Sequence, residues 1–255
     1  MYKRQGFLRL GLGTEAEAEL RALGLLPPPD RKQVEDAAKL AKLWAIAFLY
    51  DRAERYSTSH WPSRWHTLDY KRFWPDATWR AYWQVAYPLA FGELLREHAT
   101  KNNVPFAMQI AIVREESAFT PDLESFANAI GLTQMIIPTA TRFAKGTGLT
   151  VSREALQDPT TNVTIGSRFL GFLFTYWNRF EALIPASYNA GEGAVRRALK
   201  LRGTMATDEF IESIVTDETR LYSKRVLATY FVYAWLYEQR VPVIANAIPR
   251  ELLAK

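Results

Sequence analysis

The stretch AIVREESAFTPDLESFANAIGLTQM, Ala111 to Met135, decides how this chain is read. It ends an apolar, helix-like run in two adjacent carboxylates, Glu115 and Glu116. Ser117 follows, then a loop opened by Pro121 and a Gly131-Leu132 turn into Gln134. A carboxyl group at the end of an apolar helix meets the negative pole of the helix dipole, and partial burial also disfavours its ionised form. Such a group keeps its proton near neutral pH and suits general acid chemistry. Periodicity does not choose between the two glutamates. Glu116 follows Ile112 by four and Val113 by three, and Glu115 follows Ala111 by four and Ile112 by three. Taken alone, the commoner use of such a pair is two solvated helix-end charges.

Outward from this stretch the chain predicts helix after helix, with few strand signals. Thr14 with Glu17 resembles a capping box for a short helix that Gly24 ends. Pro27-Pro28-Pro29 is a stiff connector, and Asp30 is placed to cap a packing helix over about Lys32 to Arg55. That helix is expected to pack through Val34, Ala38, Ala41, Ala45 and Phe48, widened by Leu43, Trp44 and Leu49. Tyr56 to Trp83 reads as an irregular connection pinned by its rings. Helices are expected over Tyr87 to Thr100, from Pro105 to the two glutamates, over Pro138 to Lys145, and over Thr161 to Trp177 with Val163, Ser167 and Leu170 on one side. A pair hinged at Gly191 follows. The last long helix starts near Thr216 or Asp217, carries Tyr222, Val226, Tyr230, Tyr233 and Tyr237 on one stripe, and stops before Pro242. The fold class is all-α, divided near residue 80 into a helical N-terminal segment (1–80) and a larger domain (81–255).

Composition narrows the functions. The 255 residues carry a net charge of +5, with 13% aromatic residues including eight Trp and no Cys. The basic excess fits an anionic partner, but no compact Lys/Arg run points to nucleic acid. Without Cys or a helical His pair at ligand spacing, His60, His66 and His98 are not read as metal ligands. No run is apolar enough to span a membrane, and the opening MYKRQGFLRLGLG lacks the apolar core of a signal peptide. The expectation is a chain that stays inside, or a fragment whose export signal lay upstream.

Four motifs in order then carry a resemblance: VREESAF, ANAIGLTQM, ASYNAGEGAVRRAL and ETRLYSKRVLATY. Together they resemble the soluble lytic transglycosylases, relatives of goose-type lysozyme that cleave peptidoglycan, over about Tyr87 to Glu238. The resemblance implies a lysozyme-like catalytic domain, and residues up to about Arg55 fit the end of the helical superhelix that often precedes it. It makes Glu116, the Glu before Ser, the catalytic acid and Glu115 a neighbour. It places Ser117, Gln134, Tyr188, Asn189, Glu218 and Tyr222 at the substrate. Ser117 also has a bland reading as a loop cap, Glu218 as a salt-bridge partner and Tyr222 as core. The implied reaction needs one carboxylate and no metal or cofactor. Its partner is the peptidoglycan glycan strand, and its place is the periplasm or cell envelope.

The departures from the family pattern are Asn128 for a usual Gly, Thr133 for Met in the Gln134 motif, Met135 to Pro138 reading MIIP, and Leu199 for a Trp. They are expected to alter the cleft lining more than the acid. The rival readings are a goose-type lysozyme-like hydrolase on the same fold and a non-catalytic glycan-binding module.

Overall fold

The computed structural model describes residues 10, 12–202 and 204–253, so the export-signal reading of residues 1–9 lies outside it. The chain forms two compact units, Met1–Ala90 and Phe91–Lys255. Among the described residues there is no sheet, only isolated bridges, and no helix is long and apolar enough to cross a membrane.

The first unit holds α1 (Gly13–Ala22), α2 (Ala37–Arg52), α3 (Tyr56–Ser59), α4 (Trp61–Trp65) and α5 (Ala77–Ala86). Gly24, at φ +64°, follows the end of α1 as expected. The Thr14-Glu17 capping box does not form. Arg55 donates to the Glu17 carboxylate at 2.7 Å and to the Thr14 hydroxyl at 2.7 Å, a contact across 38 or more residues that outcompetes the local cap.

α2 starts later than the sequence suggests, because Asp36 and not Asp30 accepts the amide of Lys39, at 2.8 Å. Its buried face keeps the expected Leu43 and Trp44 but turns away from the alanine row. Leu43, Trp44, Ile46, Ala47 and Tyr50 are buried while Ala38, Ala41 and Ala45 are exposed. The larger side chains have more apolar area to remove from water than a row of alanines. Ile46 and Tyr50 close on Leu20 of α1.

The aromatic stretch expected to be irregular contains α3, α4, a 3₁₀ turn at Asp69–Arg72 and the start of α5. Its rings do pin it. Trp44 meets Tyr70 and Tyr82 edge-on at 5.6 and 4.8 Å, and Phe73 stacks on Trp79 at 4.1 Å. His60 and His66 are buried against the backbone carbonyls of Tyr56 and Lys32.

The second unit is built on α7 (Phe106–Ser117). It follows α6 (Gly92–Lys101), which starts five residues later than expected because Pro88 and a left-handed Phe91 keep the preceding segment out of the helix. α7 is apolar all round, with Met108, Ile110, Ala111, Ile112 and Val113 at most 1% exposed. Such a helix is stable only when enclosed. The enclosing elements are α8 (Ile137–Ala144), α9 (Arg153–Gln157), α10 (Pro159–Tyr176), α11 (Ile184–Ala190), α12 (Glu192–Arg202), α13 (Thr207–Glu212), α14 (Asp217–Glu238) and α15 (Arg250–Leu253).

α14 runs antiparallel along α7. Its Tyr222 reaches Glu116 at one end, and at the other Glu238 accepts the Ala107 amide at 3.2 Å, supplying the cap that Pro105 cannot. Of the stripe expected on α14, Tyr222, Val226, Tyr230 and Tyr233 are at most 4% exposed, and Tyr237 is half-buried. α10 is capped by Asp158 through the Thr161 amide at 2.8 Å, and its Val163, Ser167 and Leu170 are buried as the periodicity predicts.

Candidate active site

α7 stops at a sharp reversal. Ala118 and Phe119 both take left-handed backbone conformations, at φ +50° and +63°, a costly choice for non-glycine residues. The reversal leaves Glu115 and Glu116 at the helix end, facing a cleft of ≈ 610 Å³.

The two carboxylates, indistinguishable by periodicity, have different surroundings. The Glu115 side chain is 2% exposed, takes an ion pair from Arg114 at 2.6 Å and a hydrogen bond from the Thr229 hydroxyl at 2.9 Å, and lies 3.6 Å from Arg225. Glu116 has no arginine in contact; the Tyr222 hydroxyl donates to it at 2.5 Å. Burial pushes the Glu116 carboxyl up from 4.5 to about 7. The Tyr222 hydrogen bond and Arg225 oppose the shift, while the negative charges of Glu115 and Glu218 add to it. Tyr222, 4% exposed, is itself held well above the usual phenol range by burial and by Glu116, so its hydroxyl remains a donor.

The opposite walls come from the turn after Gly131, from α8, from the end of α11 and start of α12, and from the first turns of α14. Asn162, fully buried on α10, holds the turn. Its amide donates to the carbonyls of Ile130 and Leu156 at 2.9 and 2.8 Å, and its oxygen accepts the Thr133 amide at 2.8 Å and the Thr133 hydroxyl at 2.6 Å. Every hydrogen-bonding site of that side chain is used. The approach is close enough that a Cβ on Gly131, at φ +79°, would lie 2.2 Å from the Asn162 amide nitrogen. Thr133 is therefore buried behind the turn and not in the cleft lining, contrary to what its departure from the family pattern suggests. Asn128 has φ +57°, a left-handed position that asparagine tolerates best after glycine. Leu199 is buried core, 2% exposed.

Glu116, Gln134, Tyr188, Asn189, Glu218 and Tyr222 all line the cleft. Both donors of the Gln134 amide go to the carbonyls of Gly131 and Leu123, at 2.9 and 3.1 Å, which leaves its oxygen as an acceptor. Asn189 accepts the Thr219 hydroxyl at 2.6 Å, which leaves its amide hydrogens as donors. Tyr188 uses its hydroxyl on the Thr133 carbonyl at 2.8 Å and packs its ring on Phe169 at 5.0 Å, so it serves the cleft as a surface. Glu218 sits exposed in the first turn of α14, at the lip.

Ser117 stands apart. It is buried, is not part of the lining, and donates to the Val113 carbonyl at 3.1 Å. Sequence reasoning passed over Asn162, Arg142, Glu192 and Arg225. Arg142 pairs with Glu192 across the lining at 3.3 Å, and no local pattern marks a contact 50 residues apart.

A buried acid at the end of an enclosed helix, in a cleft walled by amides and rings on an all-α frame, has the architecture of a lysozyme-like domain. The comparisons specify the family. Residues 93–211 match the Transglycosylase SLT domain. The chain is 36% identical over 164 residues to the soluble lytic murein transglycosylase of Escherichia coli K12, covering 63% of this chain and 25% of that protein. It is 34% identical over 165 residues to the putative soluble lytic murein transglycosylase of Haemophilus influenzae, covering 64% and 28%. Among solved structures, the 70 kDa soluble lytic transglycosylase of Escherichia coli superposes with a TM-score of 0.68 at 26% identity, over 92% of this chain and 35% of that one. These matches support a soluble lytic transglycosylase domain over residues 93–211, and the chain spans about a quarter of the length of the curated relatives it matches.

Proposed function

We propose that the second unit is a lytic transglycosylase that cleaves the β-1,4 bond between N-acetylmuramic acid and N-acetylglucosamine in peptidoglycan, leaving 1,6-anhydromuramoyl ends. The observation that carries this reading is Glu116, held in the cleft by the Tyr222 hydroxyl at 2.5 Å, where burial pushes its carboxyl up to about 7. An acid with that proton affinity can both give and take a proton at neutral pH.

Glu116 protonates the glycosidic oxygen as the bond to the anomeric carbon breaks. The positive charge that develops there is stabilised by the substrate's own N-acetyl group. The Glu116 carboxylate then removes the proton from the muramoyl C6 hydroxyl, whose oxygen bonds to the anomeric carbon. Glu116 ends protonated as it began, and no water is consumed. Internal attack carries an effective-concentration advantage over water. Only one carboxylate is needed, which agrees with Glu115 being committed to Arg114 and Thr229. The Gln134 acceptor and Asn189 donor suit the hydroxyl and acetamido groups of a sugar, and the Tyr188 ring suits its apolar face. This substrate places the protein in the periplasm or cell envelope.

The test is clearance of purified sacculi. Wild type clears them and Glu116→Gln does not; a Glu116→Gln protein that still clears them would sink the assignment of the acid.

A further inference from the structure

One cation in the cleft is not accounted for by the reaction. Arg225 lies one turn after Tyr222 and one turn before Thr229 on the face of α14 that meets the end of α7. Its neighbours fix the ends of the two glutamates, Tyr222 on Glu116 and Thr229 on Glu115. Arg225 itself comes no nearer to Glu115 than 3.6 Å, from Nε, which is an ion pair without a hydrogen bond. Glu115 is already neutralised by Arg114 at 2.6 Å. Arg114 and Arg225 therefore set two positive charges around Glu115, and Glu218 is the further carboxylate whose charge acts on the acid. The Arg225 side chain is 50% exposed, where Arg114 is 6% exposed, and it lines the cleft. The other arginine of the lining, Arg142, is occupied by Glu192 at 3.3 Å and covers the rings of Phe143 and Phe172 at 4.9 and 4.6 Å.

The geometry points to Arg225 as a specificity-determining residue that receives a carboxylate carried by the muramoyl sugar, so that the cleft selects anionic glycans over neutral ones of the same length. Glu115 stays outside hydrogen-bond range of the half-exposed guanidinium, whose planar fork suits a bidentate carboxylate partner in the cleft. The carboxylate is that of the lactyl ether or of the first stem residues. The inference rests on the glycan-cleaving reading of the same cleft.

The test measures binding in a Glu116→Gln background, where no turnover complicates the affinity. The probes are a peptide-free tetrasaccharide alternating N-acetylglucosamine and N-acetylmuramic acid, the same tetrasaccharide with L-alanyl-D-glutamate stems, and the N-acetylglucosamine tetramer. Adding Arg225→Gln is expected to weaken at least one anionic probe by roughly 10- to 100-fold, the range for a charge-assisted pair. The neutral tetramer should change less than about twofold. Loss confined to the peptide-free sugar assigns the lactyl carboxylate, and loss confined to the stem-bearing sugar assigns the stem. Arg225→Lys should restore part of the loss, since it keeps the charge without the fork. Equal weakening of all three probes, or of none, overturns the inference. Clearance of sacculi by Glu116→Gln alone would instead overturn the acid assignment, and leaves the binding comparison to be read separately.

Discussion

Replacing Glu116 with glutamine is expected to stabilise the second unit, and to do so only above mildly acidic pH. The carboxyl titrates at about 7 in the fold against 4.5 for an unperturbed glutamate. Below about 4.5 both folded and unfolded chains hold the proton, and the group costs nothing. Between 4.5 and about 7 the unfolded chain gives up a proton that the folded one retains, so stability falls as pH rises. Above about 7 the folded carboxylate is ionised in a site that disfavours it, and the cost is complete. At about 1.36 kcal/mol per pH unit, the shift corresponds to roughly 3 kcal/mol. The carboxylate is open to the cleft on one side, which brings the expected gain to roughly 1–3 kcal/mol. Glutamine keeps the shape and still accepts from Tyr222, but it cannot ionise. The assay is urea-dependent hydrogen exchange of α7 amides in the full chain, wild type against Glu116→Gln, at pH 4.5 and pH 8. Asp51, raised to about 6 by burial, adds a slope of the same sign to both proteins and cancels in the comparison. A gain of the same size at both pH values, or none at pH 8, refutes the reasoning.

Three further outcomes follow from the same contacts. Tyr222→Phe removes the hydrogen bond that favours the ionised form, so the alkaline limb of kcat/KM on glycan strands, expected near pH 7, should move upward by about one unit; an acid-ward shift would contradict it. Glu115→Gln leaves Arg114, 5% exposed, without its carboxylate and should cost about 3–5 kcal/mol in urea unfolding, whereas an exposed helix-end glutamate would cost under about 0.5 kcal/mol. Asn162→Ala strands the Thr133 amide and the carbonyls of Ile130 and Leu156 and should lower stability by about 2–5 kcal/mol, with exchange protection lost first at residues 130–134.

What could be read from the sequence divides along physical lines. The interior helix α7 is legible as an unbroken apolar run, and α10 and α14 by their periodicity; Val163, Ser167 and Leu170, and Tyr222, Val226, Tyr230 and Tyr233 of the α14 stripe, fall on the buried face, with Tyr237 half-buried at its end. α2 was misread because its large residues and its alanines both repeat at helical spacing, and only packing against Leu20 decides which face is inside. Capping at Thr14-Glu17 lost to Arg55, and the α7 N-terminus is served by Glu238; both partners are remote in sequence. In the site, the residues given by the four motifs line one cleft, apart from Ser117, whose hydroxyl turns back onto its own helix. The difference between Glu115 and Glu116 was invisible to periodicity because Arg114 is local while Thr229, Tyr222 and Arg225 arrive from α14. Asn162 carried no motif, and its role exists only once α10 lies beneath the Gly131 turn.

In the proposed reaction one acid and an internal nucleophile break the glycan strand without water. Mass spectrometry of the muropeptides released from purified peptidoglycan in ¹⁸O-labelled water tests it most directly. Wild type is expected to release ends one water lighter than hydrolytic products and free of label, and Glu116→Gln to release none. Labelled, full-mass reducing ends from the wild-type protein would contradict the account and assign the cleft to a hydrolase.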